Sequence, residues 1–434
     1  LIPKYLKIDQ AVRVFLQLPE NNWLVPTEPI PFEEWVKRFK DPRQVELARA
    51  RNQVAEEGIL GKDAVLKSFI KIEPSTSATD PRNISPRTDK FLSILGPYVS
   101  AIEKLAKGCP YLVKGLTPQQ RGPLMADSWL ESIIETDFSR FDMTVSRDII
   151  VHVERALFRA AFPAGLYPDL DVILPMLETM TGFTDLGVAY DIDGTRASGD
   201  AHTSIANGFI NRFIIWYCLK HRDPKSWSSF HEGDDGFINC YKDDVDDISL
   251  NLNVAQLLGF KLKVEIPPCP EVANFCGRGI CSGCHREFCD LKRAFSKFHI
   301  TVKDGDIRAL ALAKAYSYLS TDPHTPMMSV MCQAIIEHLE PLLNNKKFDR
   351  RFRNAIKQFN RYATDMIMRG RKKIERNLPI LPCCRAAIAL KTGWSPALQE
   401  QFESQVTRWK YGVTQIEPLP VDDYQVDDAK AVFY

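Results

Sequence analysis

Three aspartates stand where a globular core has no use for them. In SSFHEGDDGFINCY, residues 228–241, β-prone runs flank a tip, Gly233-Asp234-Asp235-Gly236. Glycine at such a tip supplies the positive φ of a tight turn, so the stretch predicts a β-hairpin carrying two acids at its end. The third acid, Asp137, closes the apolar run SIIETD, 132–137, and Asp142 follows it in ETDFSRFD. A solvated turn accounts for the hairpin pair alone, because Asp favours turns. It leaves open why each acid follows a β-prone run. Side by side, strand and hairpin bring Asp137 to Asp234 and Asp235, and three crowded carboxylates repel strongly unless a divalent cation neutralises them. Such a cluster suits two-metal phosphoryl transfer, in which one Mg2+ activates the attacking hydroxyl and another holds the triphosphate and leaving group.

A second polar group lies between these two. TRASGDAHTSIANG contains Ser198-Gly199-Asp200, then Thr203 and Asn207, on a loop that runs into a helix. Helical spacing puts Thr203 and Asn207 on roughly one face. Capping by Ser198 or Asp200 explains one residue and leaves Thr203 and Asn207 without a reason.

The elements that must position these groups are legible from periodicity and breakers. Helices are predicted over residues 41–57 and 91–107, and over RDIIVHVERALFRAAF, AHTSIANGFINRFIIWYCLKH and DDISLNLNVAQLLGF. Strands are predicted at SFIKIE, SIIETD and KLKVEI, and VAYDIDGTRASGD reads as hairpin-like. From about residue 307 the chain reads mostly helical. Phe352, Ile356, Phe359, Ala363 and Met366 form one apolar stripe on a basic helix. Strands concentrate in the middle, with helices inserted between and after them, which predicts an α+β fold with helical flanks.

At 434 residues the chain predicts two or three subdomains. Its 56 Lys and Arg against 55 Asp and Glu exclude a uniformly basic nucleic-acid-coating protein. Charge is uneven, however: twelve bases face three acids between Lys346 and Arg376, and Glu417 to Asp428 holds five acids and no base. The acidic tail is expected to be a solvated end, with an autoinhibitory plug as the alternative. No apolar run approaches a membrane span, and no signal peptide opens the chain. A first residue of Leu suggests a fragment or a processed product.

Eleven cysteines without a signal peptide predict reduced thiols in a cytosolic setting. They crowd in CGRGICSGCHREFC, Cys276 to Cys289. Cys281-Ser-Gly-Cys284-His285 matches the haem-attachment pattern, which belongs to export compartments. A zinc site drawing on Cys276, Cys281, Cys284, His285 and Cys289 is another reading, and small buried thiols lining a turn a third.

DFSRFD, SGDAHTSIAN and GDD, in this order, resemble palm motifs A, B and C of viral RNA-dependent RNA polymerases. The SGD-x-x-T-x-x-x-N form and the upstream FIKIEP…DPRNISPR resemble positive-strand RNA viruses of the tombusvirus-like group. The resemblance covers at least residues 67–283. It implies a right-hand polymerase fold: fingers over 1–131 and 146–185, palm over 132–145 and 186–290, and thumb with acidic tail over 291–434. By this resemblance Asp137 and Asp234 are the metal-binding aspartates and Asp235 the accessory third, with Mg2+ as cofactor and Mn2+ able to substitute. Asp142, Ser198 and Asn207 match the group that recognises the ribose 2′-hydroxyl, supported by Thr203, and Gly199 matches a loop hinge. Lys71, Arg82 and Arg87 resemble the cations that grip the incoming triphosphate. LGFKLKVE resembles the motif that presents a lysine as general acid; Lys261 and Lys263 both fit, and Lys263 is preferred. ANFCGRGICSG resembles the palm-to-thumb hairpin. Implied partners are RNA template and product duplex, NTPs and other viral replication proteins. The implied location is the host cytoplasm, in replication complexes tied to membranes through segments outside this chain.

Two other classes compete. A reverse transcriptase shares the palm chemistry but usually carries a bulky aromatic where Asp142 stands. A non-catalytic RNA-binding scaffold would be expected to lose its carboxylates first, whereas Asp137, Asp234 and Asp235 are all present.

Overall fold

A computed structural model of the chain describes residues 7–72, 80–298, 300–301, 304–359, 374–408 and 430–431. The chain forms two compact units. The first comprises residues 1–71, 81–116 and 128–266, and the second 72–80, 117–127 and 267–434.

The first unit is built from helix α1 (Asp41–Glu57), strands β1 (Leu66–Ile70) and β2 (Asn83–Ile84), helix α2 (Asp89–Leu105) and strand β3 (Ser132–Phe138). There follow β4 (Thr179–Thr184), β5 (Ala189–Asp193), helix α3 (Thr203–Leu219), β6 (Trp227–Glu232), β7 (Asp235–Cys240), helix α4 (Val245–Leu252) and β8 (Leu262–Glu265). The strands form two four-stranded sheets. One has the order β2-β1-β4-β5, with β1 parallel to β4; the other, β6-β7-β3-β8, is antiparallel throughout. Helix α3 packs against β6 and is buried continuously from Ile205 to Leu219. A helix buried on every side, with Asn207, Asn211 and Arg212 among its buried residues, is interior, and α3 runs through this unit's core.

Two elements differ from their sequence expectation. Residues 147–161 are helical as expected, but Ile150–Glu154 form a π-type turn within them. The wider turn shifts the phase of the side chains, and Glu154 at its end is buried at 1% exposure. The hairpin-like VAYDIDG stretch contributes only its second strand, β5. Its partner β4 lies upstream, and the connection falls at 185–188.

The second unit holds a short hairpin, β9 (Arg278–Ile280) with β10 (Glu287–Cys289), and five helices used below. These are α5 (Ile307–Thr321), α6 (Met328–Leu339), α7 (Lys346–Ile356), α8 (Pro382–Thr392) and α9 (Pro396–Arg408). Helix α7 buries Phe348, Phe352, Ala355 and Ile356 on one face, which is the beginning of the expected apolar stripe. It closes at Ile356, and Ala363 and Met366 lie outside the described residues, as does the acidic tail. The stretch 267–290, expected to belong with the middle of the chain, groups with this second unit. A buried charge cluster explains why. Arg278 pairs with Glu287 (2.9 Å) and Asp322 (2.8 Å), and Arg121 pairs with Glu287 (2.8 Å), so hairpin and helices share partners. No helix among the described residues is long and apolar enough to cross a membrane.

Candidate functional site

The hairpin forms as the sequence predicts. Strands β6 and β7 pair from Trp227↔Cys240 to Glu232↔Asp235, leaving Gly233 and Asp234 as a two-residue turn. Gly233 takes φ 63, which a turn with glycine at its first position requires. Strand β3 runs antiparallel to β7, and their last pair is Thr136↔Gly236. One residue beyond that pair stand Asp137 on one strand and Asp235 on the other. The register therefore carries all three predicted carboxylates to one end of one sheet. Asp137, Asp234 and Asp235 are exposed there. The Asp234 carboxyl is held above the usual carboxylate range, first by loss of solvent and then by the negative charges of Asp142 and Asp137, with Arg82 opposing.

The turn is braced from beneath. Asn211 Nδ2, on α3, donates to the carbonyls of Gly233 (3.2 Å), Asp234 (2.9 Å) and Asp235 (3.3 Å). One buried amide thus fixes all three residues of the tip. Asn211 lies one helical turn after Asn207, and that spacing is the signal by which the sequence could have revealed it.

Asp142, Ser198 and Asn207, expected to act together, do come together. Asn207 Nδ2 donates to Asp142 Oδ1 at 2.8 Å, and the Ser198 hydroxyl donates to Asp142 Oδ2. Thr203 Oγ1 donates to the Ala197 carbonyl at 3.0 Å, tying the loop to the helix start. Gly199 takes φ 117, a conformation that suits glycine. Behind this trio lies a network absent from the sequence reading. Arg196 Nε donates to Asn207 Oδ1 at 3.0 Å, so the amide is oriented with its N–H toward Asp142. Arg196 also pairs with buried Glu154, and His202 Nε2 lies 3.1 Å from the same carboxylate. Burial alone would raise the Glu154 carboxyl, yet the Arg196 and His202 charges hold it at about 2. The π-type turn is what delivers Glu154 to this place.

The expected triphosphate cations part company. Lys71 and Arg82 are exposed and adjacent, with the Lys71 N–H donating to the Arg82 carbonyl at 2.9 Å across β1 and β2. Arg87 is instead buried. It pairs with Asp200 at 3.0 Å, donates to the Ala64 carbonyl at 2.7 Å and lies over the Phe91 ring. Its guanidinium is already committed, which differs from the expected role facing a ligand. The same segment is bound to the loop, because the Ser85 N–H donates to the Ser198 carbonyl at 2.6 Å. Lys263, on β8, is the cross-strand partner of Asp137 and pairs with Glu265. Lys261 precedes β8, where its carbonyl accepts from Ser139 N–H at 3.0 Å.

The cysteine cluster has a composition the sequence did not predict. Cys281 and Cys284 converge with Cys383 and Cys384, while Cys276, His285 and Cys289 stand outside the group. Cys289 is buried in the second unit's core, where burial pushes its thiol well up.

Residues 23–414 match the profile of the viral RNA-dependent RNA polymerases, and the chain belongs to that family. Among curated relatives, the RNA-directed RNA polymerase of Pariacoto virus is 27% identical over 332 residues, 73% of this chain and 34% of the relative. That of Turnip crinkle virus is 28% identical across 57% of this chain and 34% of its own length. The polymerase of Greasy grouper nervous necrosis virus is 28% identical across 62% of this chain and 28% of its own length. The chain spans about a third of the length of these relatives.

Proposed function

We propose that this chain is the polymerase region of a viral replication protein and copies RNA from NTPs by two-metal nucleotidyl transfer. The antiparallel sheet with its hairpin acts as the palm, the β2-β1-β4-β5 sheet as part of the fingers, and the C-terminal helices as the thumb. The observation that carries this reading is the β3–β7 register, which brings Asp137, Asp234 and Asp235 to one sheet end beside the Asp142–Ser198–Asn207 group.

The donor set fits a hard divalent cation, since exposed carboxylate oxygens match Mg2+ or Mn2+, and the Asp234 carboxyl, raised by loss of solvent and then by the Asp142 and Asp137 charges, would be relieved by one. Asp137 and Asp234, with Asp235 beside them, would hold such cations, whose chemistry would be to acidify the attacking hydroxyl and to neutralise the triphosphate. The chain's own groups do the rest. Asp142 accepts from the ribose 2′-hydroxyl while Ser198 and Asn207 hold its carboxylate in place, so a nucleotide lacking that hydroxyl forfeits this bond. Lys71 and Arg82 attract the triphosphate. Arg87 is a positioning residue that fixes the Asp200 end of the loop. Lys263 is placed to donate a proton to departing pyrophosphate, and its pairing with Glu265 keeps it charged until then.

Labelled-nucleotide incorporation on a defined RNA template, with Mg2+ or Mn2+, tests the assignment against Asp234→Ala. Template-dependent product that vanishes in the variant is expected. Equal incorporation by both proteins would overturn it.

A further inference from the structure

Two short segments about a hundred residues apart in sequence bring four sulphurs together. Cys281 and Cys284 lie on the loop of the β9–β10 hairpin, and Cys383 and Cys384 lie in the first turn of α8. Their Sγ atoms all fall within 4.8 Å of one another, and Cys284 and Cys384 approach to 3.5 Å. All four are free thiols.

The loop around Cys281 and Cys284 is shaped for sulphur. The loop closes on itself through Cys281 N–H to the Arg286 carbonyl (2.9 Å) and His285 N–H to the Cys281 carbonyl (2.7 Å). His285 accepts φ 59 to make this turn, a conformation uncommon outside glycine. At Gly283 an added Cβ would stand 2.7 Å from Cys383 Cβ, so only glycine allows the two segments to meet. A mere packing of small thiols would not need this approach.

We propose that Cys281, Cys284, Cys383 and Cys384 bind one zinc ion that fastens the β9–β10 hairpin to α8. Four thiolates in a compact group suit a tetrahedral structural site, and their softness selects a thiophilic metal over Mg2+. Closed by four protein ligands, the site has no open position for a substrate, so its role is to hold structure. It shares no residue with the Asp137, Asp234 and Asp235 group and does not depend on the polymerase reading. Lys391, near the end of α8, donates to the carbonyls of Val272 and Ala273, which ties α8 also to the stretch that leads into the hairpin. The proposed ion and this lysine pin α8 at both ends.

Elemental analysis of the full chain, purified without chelator, tests this together with cobalt reconstitution. One zinc per chain is expected, displaced stoichiometrically by a mercurial. Cobalt in its place should give the intense absorption of a tetrahedral tetrathiolate. Cys383→Ser and Cys284→Ser should each lose the metal, and Cys276→Ser should keep it. Because ligand variants can fail to fold, the wild-type zinc content and cobalt spectrum decide independently. Wild-type protein with four alkylatable thiols and no metal would overturn the site, as would a disulfide between Cys284 and Cys384. Iron in place of zinc would overturn the choice of metal, and loss of metal from Cys276→Ser would overturn the ligand set.

Discussion

Each unit of this molecule contains a buried ionic network, and the two are built to different ends. In the second unit Arg121, Arg278, Glu287 and Asp322 satisfy one another, with Asp322 also accepting from Cys289 N–H at 2.8 Å and Thr325 Oγ1 at 2.9 Å. That network closes on itself. In the first unit Glu154 holds Arg196, Arg196 holds Asn207, and Asn207 holds Asp142, whose carboxylate reaches the edge of the site. This one is open at its far end. A closed network can only hold structure. An open one carries the rigidity of the core out to a group that has a ligand still to meet, at the cost of leaving like charges near one another.

The largest effect should come at the carboxylates beyond the open end. Asp137→Asn or Asp234→Asn is expected to reduce nucleotide incorporation by at least about a thousandfold. The Asp234 carboxyl is raised because its charged form is disfavoured; without divalent cation, stability contributed by this site falls as pH rises through its folded pKa. Asp234→Asn should therefore melt no lower than the parent in metal-free buffer at neutral pH, and a lower melting temperature would break the comparison.

Next is the closed network. Asp322→Asn leaves Arg278 buried with half its compensation, and denaturant titration should show a loss of about 3–5 kcal/mol. Activity should fall only with the folded fraction, which separates this variant from those of the site.

A smaller effect is expected between the two. Asn207→Ala should leave the fold intact and erode preference for NTP over dNTP by about ten- to a hundredfold, the worth of one or two hydrogen bonds to a charged group. Glu154→Gln should lower the same preference without touching the nucleotide. Because the Glu154 carboxyl sits at about 2 against an ordinary 4.5, its contribution is complete above pH 4.5 and is lost as pH falls toward 2. Acid titration of the parent should show that component, and Glu154→Gln should lack it.

The smallest effect concerns α7. Arg351 pairs with Asp306 and Arg353 with Asp349, both at 2.7 Å, so part of the expected basic face is already neutralised. Replacing Arg350, Arg351 and Arg353 by Gln is expected to reduce the salt slope of RNA binding by no more than about one phosphate contact. An unchanged slope would remove α7 from the RNA path.

What the sequence revealed was local. The β3 strand, the hairpin and the helix beneath them follow from short-range patterns, and so do the acids that end them. The Asp142–Ser198–Asn207 group was also legible, through a resemblance that links three separated motifs. Networks that depend on chain folding were not. Arg196 reads as a loop cation, and Glu154 as one more charge on an amphipathic helix, until a π-type turn directs it inward. Arg87 looked free to meet a phosphate because nothing local announces Asp200 as its partner. The cysteine group shows the same limit: Cys281 and Cys284 stand out, but Cys383 and Cys384 complete the set only once α8 has docked.

One hydrogen bond acquires a mechanical meaning from all this. Ser85 N–H grips the carbonyl of Ser198, whose hydroxyl grips Asp142 in turn. The segment carrying Arg82 and the Ser198 loop are therefore geared together. Neither can be displaced alone without unmeshing that contact, so a movement of the Ser198 loop also moves the segment that carries Arg82.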